Sequence, residues 1–171
     1  MDELKKKIEA LTPQNAFYAV AGMLALMLIL FLVGDVIAAK EGGKTISFTG
    51  WKCMTSYSEG LEGIGSASLS IGMGRFFAWI YVAAVVALLY LAYAKKVVNY
   101  MYCIVPAVAL FIMKFTATFT ATITFMGKTK TETADFPASM TVMFWVIVII
   151  NVALVAFAYF RGNNPVALDK K

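Results

Sequence analysis

Long apolar runs alternate with short polar ones along this chain, and four of the runs reach the ~20 residues that a helix needs to cross a bilayer. They cover 16–39 (AFYAVAGMLALMLILFLVGDVIAA), 75–94 (RFFAWIYVAAVVALLYLAYA), 97–126 and 138–160 (ASMTVMFWVIVIINVALVAFAYF). Within hydrocarbon only a helix, among open elements, satisfies its own backbone, so each run is predicted to be helical. Ahead of the first run, Leu4, Ile8 and Leu11 fall at i, i+4 and i+7, the spacing of a short amphipathic surface helix. Pro13-Gln14-Asn15 is a start signal, and Gly162-Asn163-Asn164-Pro165 is a stop. Little more than Lys95-Lys96 separates the second run from the third, which predicts a tight antiparallel helical hairpin.

Between the runs the period changes. The loop 40–74 contains KTISFTGW, where Ile46 and Phe48 alternate with Thr45, Ser47 and Thr49, and SLSIGMG, where Leu69, Ile71 and Met73 alternate with small or polar residues. Period two with one apolar face is the pattern of a strand, and the glycines of EGLEGIG supply the turn. A small antiparallel sheet on the helix ends is the expectation. The alternative lets the small residues of SASLSIGMG begin the second helix early. The same period invades the third run, where Thr116, Thr118, Thr120, Thr122 and Thr124 occupy every second position. Hydroxyls on a helix can bond back one turn, so the favoured expectation is a helix continuing to 126 and projecting beyond the bilayer. The alternative ends it near 118 and makes 119–125 a strand of the loop sheet. The second loop, 127–137, is short.

Composition then fixes the solvent. Of 171 residues, 61% are hydrophobic and 15% charged, more apolar surface than a water-soluble fold of this size can bury. The reading is an all-α membrane protein, one domain over 1–171, built as a four-helix bundle with a small antiparallel β element in the long first loop. Lys5, Lys6 and Lys7 precede the first run as in a signal peptide, with Val36-Ile37-Ala38 a weak cleavage motif. The apolar run is longer than a signal core of about 7–15 residues, so a retained anchor is expected. Eight basic residues (Lys5, Lys6, Lys7, Lys95, Lys96, Arg161, Lys170, Lys171) fall on the side of the termini and six (Lys40, Lys44, Lys52, Arg75, Lys128, Lys130) on the other, which predicts cytoplasmic termini in a cell membrane. The net charge of +5 is not clustered as a nucleic-acid surface requires. There is no histidine, which removes triad hydrolases and most zinc and haem sites, and the two cysteines form no CxxC. No catalytic set, metal site or cofactor is expected.

Two groups of residues are the candidates for function. Asp35, Lys114 and Asn151 are polar residues inside predicted spans, where an ionised group costs about 2.5–3.5 kcal/mol at the helix centre. Together they would form an intramembrane polar site for an anion or a proton. The favoured reading is structural, with Lys114 snorkelling toward the interface, Asp35 meeting it from above and Asn151 joining helices. In the long loop, Ile46, Phe48, Trp51, Cys53 and Arg75 are the candidates for an interaction surface, although Trp51 is read first as an aromatic interface anchor and Cys53 as a small, packed free cysteine. Cys103 lies near the inner start of the third span, so Cys53 cannot approach it within the ~7 Å a disulfide needs; any pairing by Cys53 would be with another chain.

With Trp51, the Gly60-Leu61 of EGLEG and Arg75 opening the second span, the plan resembles, in topology, tetraspans of the claudin and peripheral-myelin type. The resemblance implies four helices, inside termini and a longer first outer loop that adds a small sheet. The chain departs from that family where Glu62 follows Gly60-Leu61 in place of tryptophan, and where the loop carries Cys53 in place of a cysteine pair. The function expected is non-catalytic: self-assembly, or service as an accessory subunit, through the outer loops, with the bilayer and a second copy or another membrane protein as partners. The alternative is a small transporter or channel using Asp35, Lys114 and Asn151. A membrane enzyme using Tyr57, Glu59, Glu62 and Arg75 ranks third, because their spacing is not diagnostic.

Overall fold

A computed structural model describes residues 2–41, 44–55, 57–61, 65–94, 98–125, 128–134 and 138–161. The Lys95-Lys96 turn, Glu62, the Gly162–Pro165 stop and the terminal lysines Lys170 and Lys171 lie outside the described residues.

The N-terminal amphipathic stretch is helix α1 (Asp2–Glu9). Thr12 then accepts a hydrogen bond from the Asn15 N–H at 3.3 Å, and Pro13, which has no N–H to leave unpaired, opens α2 (Pro13–Val33). The remaining long helices are α4 (Gly74–Ala94), α5 (Tyr100–Thr116) and α6 (Val142–Arg161), and a short α3 (Gly50–Met54) sits between α2 and α4. Three helices, α2, α4 and α6, are long and apolar enough to cross a membrane, whereas α5 is apolar but has 17 residues.

These four helices form a closed ring of contacts, with α4 and α6 each packing against both α2 and α5. The buried positions repeat at alternating spacings of three and four: Val20, Leu24, Met27 and Phe31 on α2; Ala78, Tyr81, Val85, Leu88 and Ala92 on α4; Phe144, Ile147, Asn151, Leu154 and Ala158 on α6. That is the seam of a left-handed bundle. Small residues set how close the helices come. A Cβ on Gly74 would stand 3.1 Å from the Ala117 Cα, so the start of α4 lies against the backbone that follows α5. In the centre, the Tyr81 ring stacks on Phe31 at 4.3 Å, and its hydroxyl donates to the Met27 carbonyl at 3.3 Å.

The outside of the bundle is as apolar as the inside. Only 28% of each spanning window is buried, while Ile29, Val86, Ile149 and Val152 face outward. Water does not tolerate such a surface, and lipid does; these are the helices of a membrane-embedded protein. Exposed Trp79 and Tyr93 on α4 are spaced as are Trp145 and Tyr159 on α6. Fourteen residues separate each pair, ~21 Å along the axis, which puts aromatic rings at both interfaces.

The helix ends differ from the sequence expectation in three places: the fourth helix begins at Val142 rather than 138, because Ser139–Met140 is a strand paired with Ile37 and Ala38, and two helices end early. α2 stops at Val33, where the Gly34 N–H closes the last turn on Leu30 at 2.9 Å, and the chain becomes strand β1 (Asp35–Glu41) instead of continuing to 39. α5 stops at Thr116, and Phe119–Phe125 is strand β5 rather than the end of a long helix. The reason is the same at both sites. Once outside hydrocarbon a segment can satisfy its backbone by pairing with a neighbour, and β-branched residues, Val36 and Ile37 in β1 and the threonines and Ile123 in β5, then favour the strand. The β structure also extends beyond the first loop. One sheet, ordered β2-β1-β7, joins β2 (Lys44–Thr49) and β1 to β7 (Ser139–Met140). The other, ordered β3-β4-β5-β6, joins β3 (Tyr57–Leu61) and β4 (Gly65–Ser70) to β5 and β6 (Lys128–Ala134). Every pairing is antiparallel. SLSIGMG is therefore strand up to Ser70, and the second helix begins at Gly74.

Close packing under the first sheet is tested at Gly50. A Cβ there would lie 2.5 Å from carbons of the Phe31 ring and press on the Phe31 carbonyl. Gly50→Val is expected to lower stability by roughly 1–3 kcal/mol, the usual penalty for overpacking, read as a fall in the thermal midpoint in detergent, with Thr49→Ser as a neutral control.

Candidate functional site

All seven strands connect to the same end of the bundle. β1 leaves α2, β4 leads into α4, β5 leaves α5 and β7 leads into α6. Of the polar residues predicted to lie within spans, two are found at this end. Asp35 is exposed in β1, beyond the end of α2. Lys114 is half-buried in the last turn of α5, with its ammonium 4.3 Å from the centre of the exposed Phe115 ring. A cation in that turn meets the negative end of the helix dipole, and its stem carries the charge outward. Among the described residues no ion pair joins Lys114 to Asp35.

Asn151 is elsewhere. It is 2% exposed on α6, and its Nδ2 donates to the Cys103 carbonyl on α5 at 3.1 Å. Cys103 precedes Lys114 by eleven residues, ~16 Å along the helix, so Asn151 and Lys114 lie at different depths. Pro106 explains the position of the bond. Lacking an N–H, it leaves the Tyr102 carbonyl without its helical donor, and Asn151 donates to the neighbouring Cys103 carbonyl in the same turn. The structure thus does not bring Asp35, Lys114 and Asn151 together.

The loop candidates divide differently. Phe48 and Cys53 are buried and form the interior of the cap with Val36, Ile37 and Met54. Burial pushes the Cys53 thiol from 9.0 up to about 12, so it is neither a thiolate nor presented to a second chain, and both cysteines are free. Trp51 is 57% exposed. Arg75 donates from Nε to the Met54 carbonyl at 2.8 Å, satisfying a carbonyl at the end of α3, whose other end is capped by Thr49 accepting from the Lys52 N–H at 3.2 Å. Arg75 is therefore a clamp on α3. Ile46 pairs with Ala39 through the backbone.

Two residues of consequence were not singled out from the sequence. Thr141 accepts from the Phe144 N–H at 3.2 Å, capping α6, and donates to the Val36 carbonyl at 3.0 Å and to the Asp35 carbonyl, next to the bulge between Asp35 and Ile37. It ties the start of α6 to the end of α2. Arg161 donates to the Ile8 and Leu11 carbonyls at 3.0 and 2.7 Å, fixing the end of α1 to the end of α6. A threonine immediately before an apolar run is a capping signal; the Arg161 contact bridges 153 residues and has no local signature.

The second sheet arranges its sequence in rows. Ser58, Ser68, Thr122 and Thr131 are successive register partners, as are Gly60, Ser66, Thr124 and Thr129, and Ser70, Thr120 and Thr133. The alternating threonines of 120–124 thus fall at alternate register positions, and the rows between them are Tyr57, Leu69, Ala121, Glu132 and Glu59, Ala67, Ile123, Lys130. Among the described residues β3 and β6 each have one strand neighbour, which makes them the edges. Comparison with protein-family models, curated proteins and solved structures finds no match to this chain.

Two measurements check these assignments. Asn151→Ala is expected to destabilise by about 0.6 kcal/mol and at most about 1.7, the range for hydrogen bonds between membrane helices, whereas Lys114→Met changes stability by less; equal losses would place Lys114 in the same buried network. Cys53 is expected to resist maleimide at pH 8 until the protein is unfolded. Because its folded pKa lies above the unfolded 9.0, the unfolded chain releases a proton first as pH rises, so stability falls between pH 9 and about 12, and Cys53→Ala flattens that part of the profile.

Proposed function

We propose that this chain is a four-span membrane protein whose sheet-bearing end is an assembly module, acting in self-association or as an accessory subunit of a membrane complex, without catalysis. α5 is the fourth span: its 17 residues, the last turn with Lys114 included, measure ~26 Å, close to the ~30 Å hydrocarbon core. The termini are cytoplasmic and the sheets stand on the outer face of the cell membrane, in keeping with the excess of basic residues on the terminal side.

The observation that carries this reading is the four-stranded sheet at one end of the bundle, with β4 and β5 connected directly to α4 and α5 and, among the described residues, no strand beside either edge. An edge strand presents unpaired N–H and C=O groups, a template for a partner strand. Trp51, exposed on the capped α3, adds an aromatic anchor of the type enriched at interfaces. No observation favours the transport reading over this one, since Asn151 is engaged by Cys103 and the two charges stand at the rim.

Native mass measurement in nanodiscs is the test. A defined oligomer, or a co-purifying membrane protein at fixed stoichiometry, is expected. A chain that stays monomeric across a hundredfold range of concentration with nothing bound refutes the proposal.

A further inference from the structure

We propose that the partner at the sheet edge is a second copy of this chain, and that β6 of one copy pairs with β3 of the next to continue the four-stranded sheet from protein to protein. This rests on the assembly reading above and names its contact.

Strand direction is the first argument. In the order β3-β4-β5-β6 every neighbour is antiparallel, so with an even number of strands the two edges run in opposite directions. Two copies inserted the same way in one membrane and placed side by side therefore bring β6 and β3 together antiparallel, without tilting either bundle. A two-fold pair about the membrane normal would instead set β6 beside β6, or β3 beside β3, in parallel if the strands follow the helix axes they are joined to.

Register and charge give the second. Within the chain, Glu59 and Lys130 end the same row, through Ala67 and Ile123. If the rows run on across the seam, Lys130 falls opposite the next copy's Glu59, Glu132 opposite Tyr57, and Lys128 opposite Leu61. On the other face Thr131 falls opposite Ser58 and Thr129 opposite Gly60. An acid at one edge and a base at the other, in one row, is attractive in this head-to-tail arrangement. In the parallel like-edge contact each charge meets its own sign: Lys128, Lys130 and Glu132 on β6 against their copies, or Glu59 on β3 against its copy. Lysines on an exposed edge normally discourage strand addition; here they reject the wrong edge and accept the right one. Such a contact is heterologous, so it builds a ring if its rotation closes and a filament in the membrane plane if it does not.

Cross-linking reads the contact directly. Ser58→Cys and Thr131→Cys are made as separate, differently tagged chains, with Cys53 and Cys103 left in place because both are buried. Opposed residues of antiparallel strands have Cα atoms ~4.5–5.5 Å apart, inside disulfide reach. Co-expressed and oxidised in the membrane, the two variants are expected to form a mixed dimer, and each alone none. A single chain carrying both changes is expected to form a ladder, because its own β3 and β6 are three strand spacings, ~14 Å, apart. Charge exchange supplies the second arm. Glu59→Lys and Lys130→Glu are each expected to weaken association about fivefold or more, and the double exchange to restore it. Same-variant dimers, or no mixed dimer from a chain whose native mass is oligomeric, overturn the β6–β3 seam and leave the assembly reading standing. A chain that is monomeric by native mass and gives no mixed dimer overturns both.

Discussion

The contact between α4 and α5 organises this protein. Gly74 lets the first turn of α4 lie against the backbone at Ala117, so β4, which leads into α4, and β5, which leaves α5, start as neighbours. Their pairing from Ser70 with Thr120 to Gly65 with Phe125 is the continuation of the helical contact in another secondary structure. β3 and β6 are then added on either side through their own antiparallel pairings. The second sheet is thereby attached to the bundle through two packed helices rather than hung from loops. That attachment is why an edge of the sheet can have a defined direction relative to the membrane.

The other half of the cap is built on α2 and α6 by different means. Here β1 leaves α2 and Thr141 binds the carbonyls at its start while capping α6. The short α3 fills the space above Phe31, with Gly50 against the ring, Cys53 and Met54 inward, and Arg75 closing its last carbonyl. Polar chemistry in this protein is thus spent on helix ends and crossings. Asn151 at the Pro106 turn is the clearest instance, a buried amide whose partner is a backbone carbonyl of the neighbouring helix.

The charges that looked costly in the sequence prove to be cheap. A run of apolar residues does not reveal where a helix ends inside it, so reading 16–39 and 97–126 as unbroken helices puts Asp35 and Lys114 inside spans. With α2 ending at Val33 and α5 at Thr116, Asp35 is exposed beyond its helix and Lys114 half-buried in the last turn of its own, where the penalty for a charge is smaller than in a helix centre. The alternating threonines carried the opposite signal, and the strand they suggested is the one that forms. Their period was visible; what could not be seen locally was the partner, β4, which lies some fifty residues earlier and supplies the backbone hydrogen bonds that make the strand preferable to another two turns of helix.

Sequence alone determined what depends on composition and short-range period: an apolar surface suited to lipid, helices from the long runs, a strand in KTISFT, and the helix start at Pro13. These follow from each residue and its near neighbours, because helix, strand and cap are local solutions to satisfying the backbone. Tertiary structure alone decided the helix ends, the assignment of strands to two sheets drawing on both loops, and the separation of Asn151 from Lys114. Each of those depends on a contact between distant segments, and no pattern within one segment specifies which other segment will supply its hydrogen bonds.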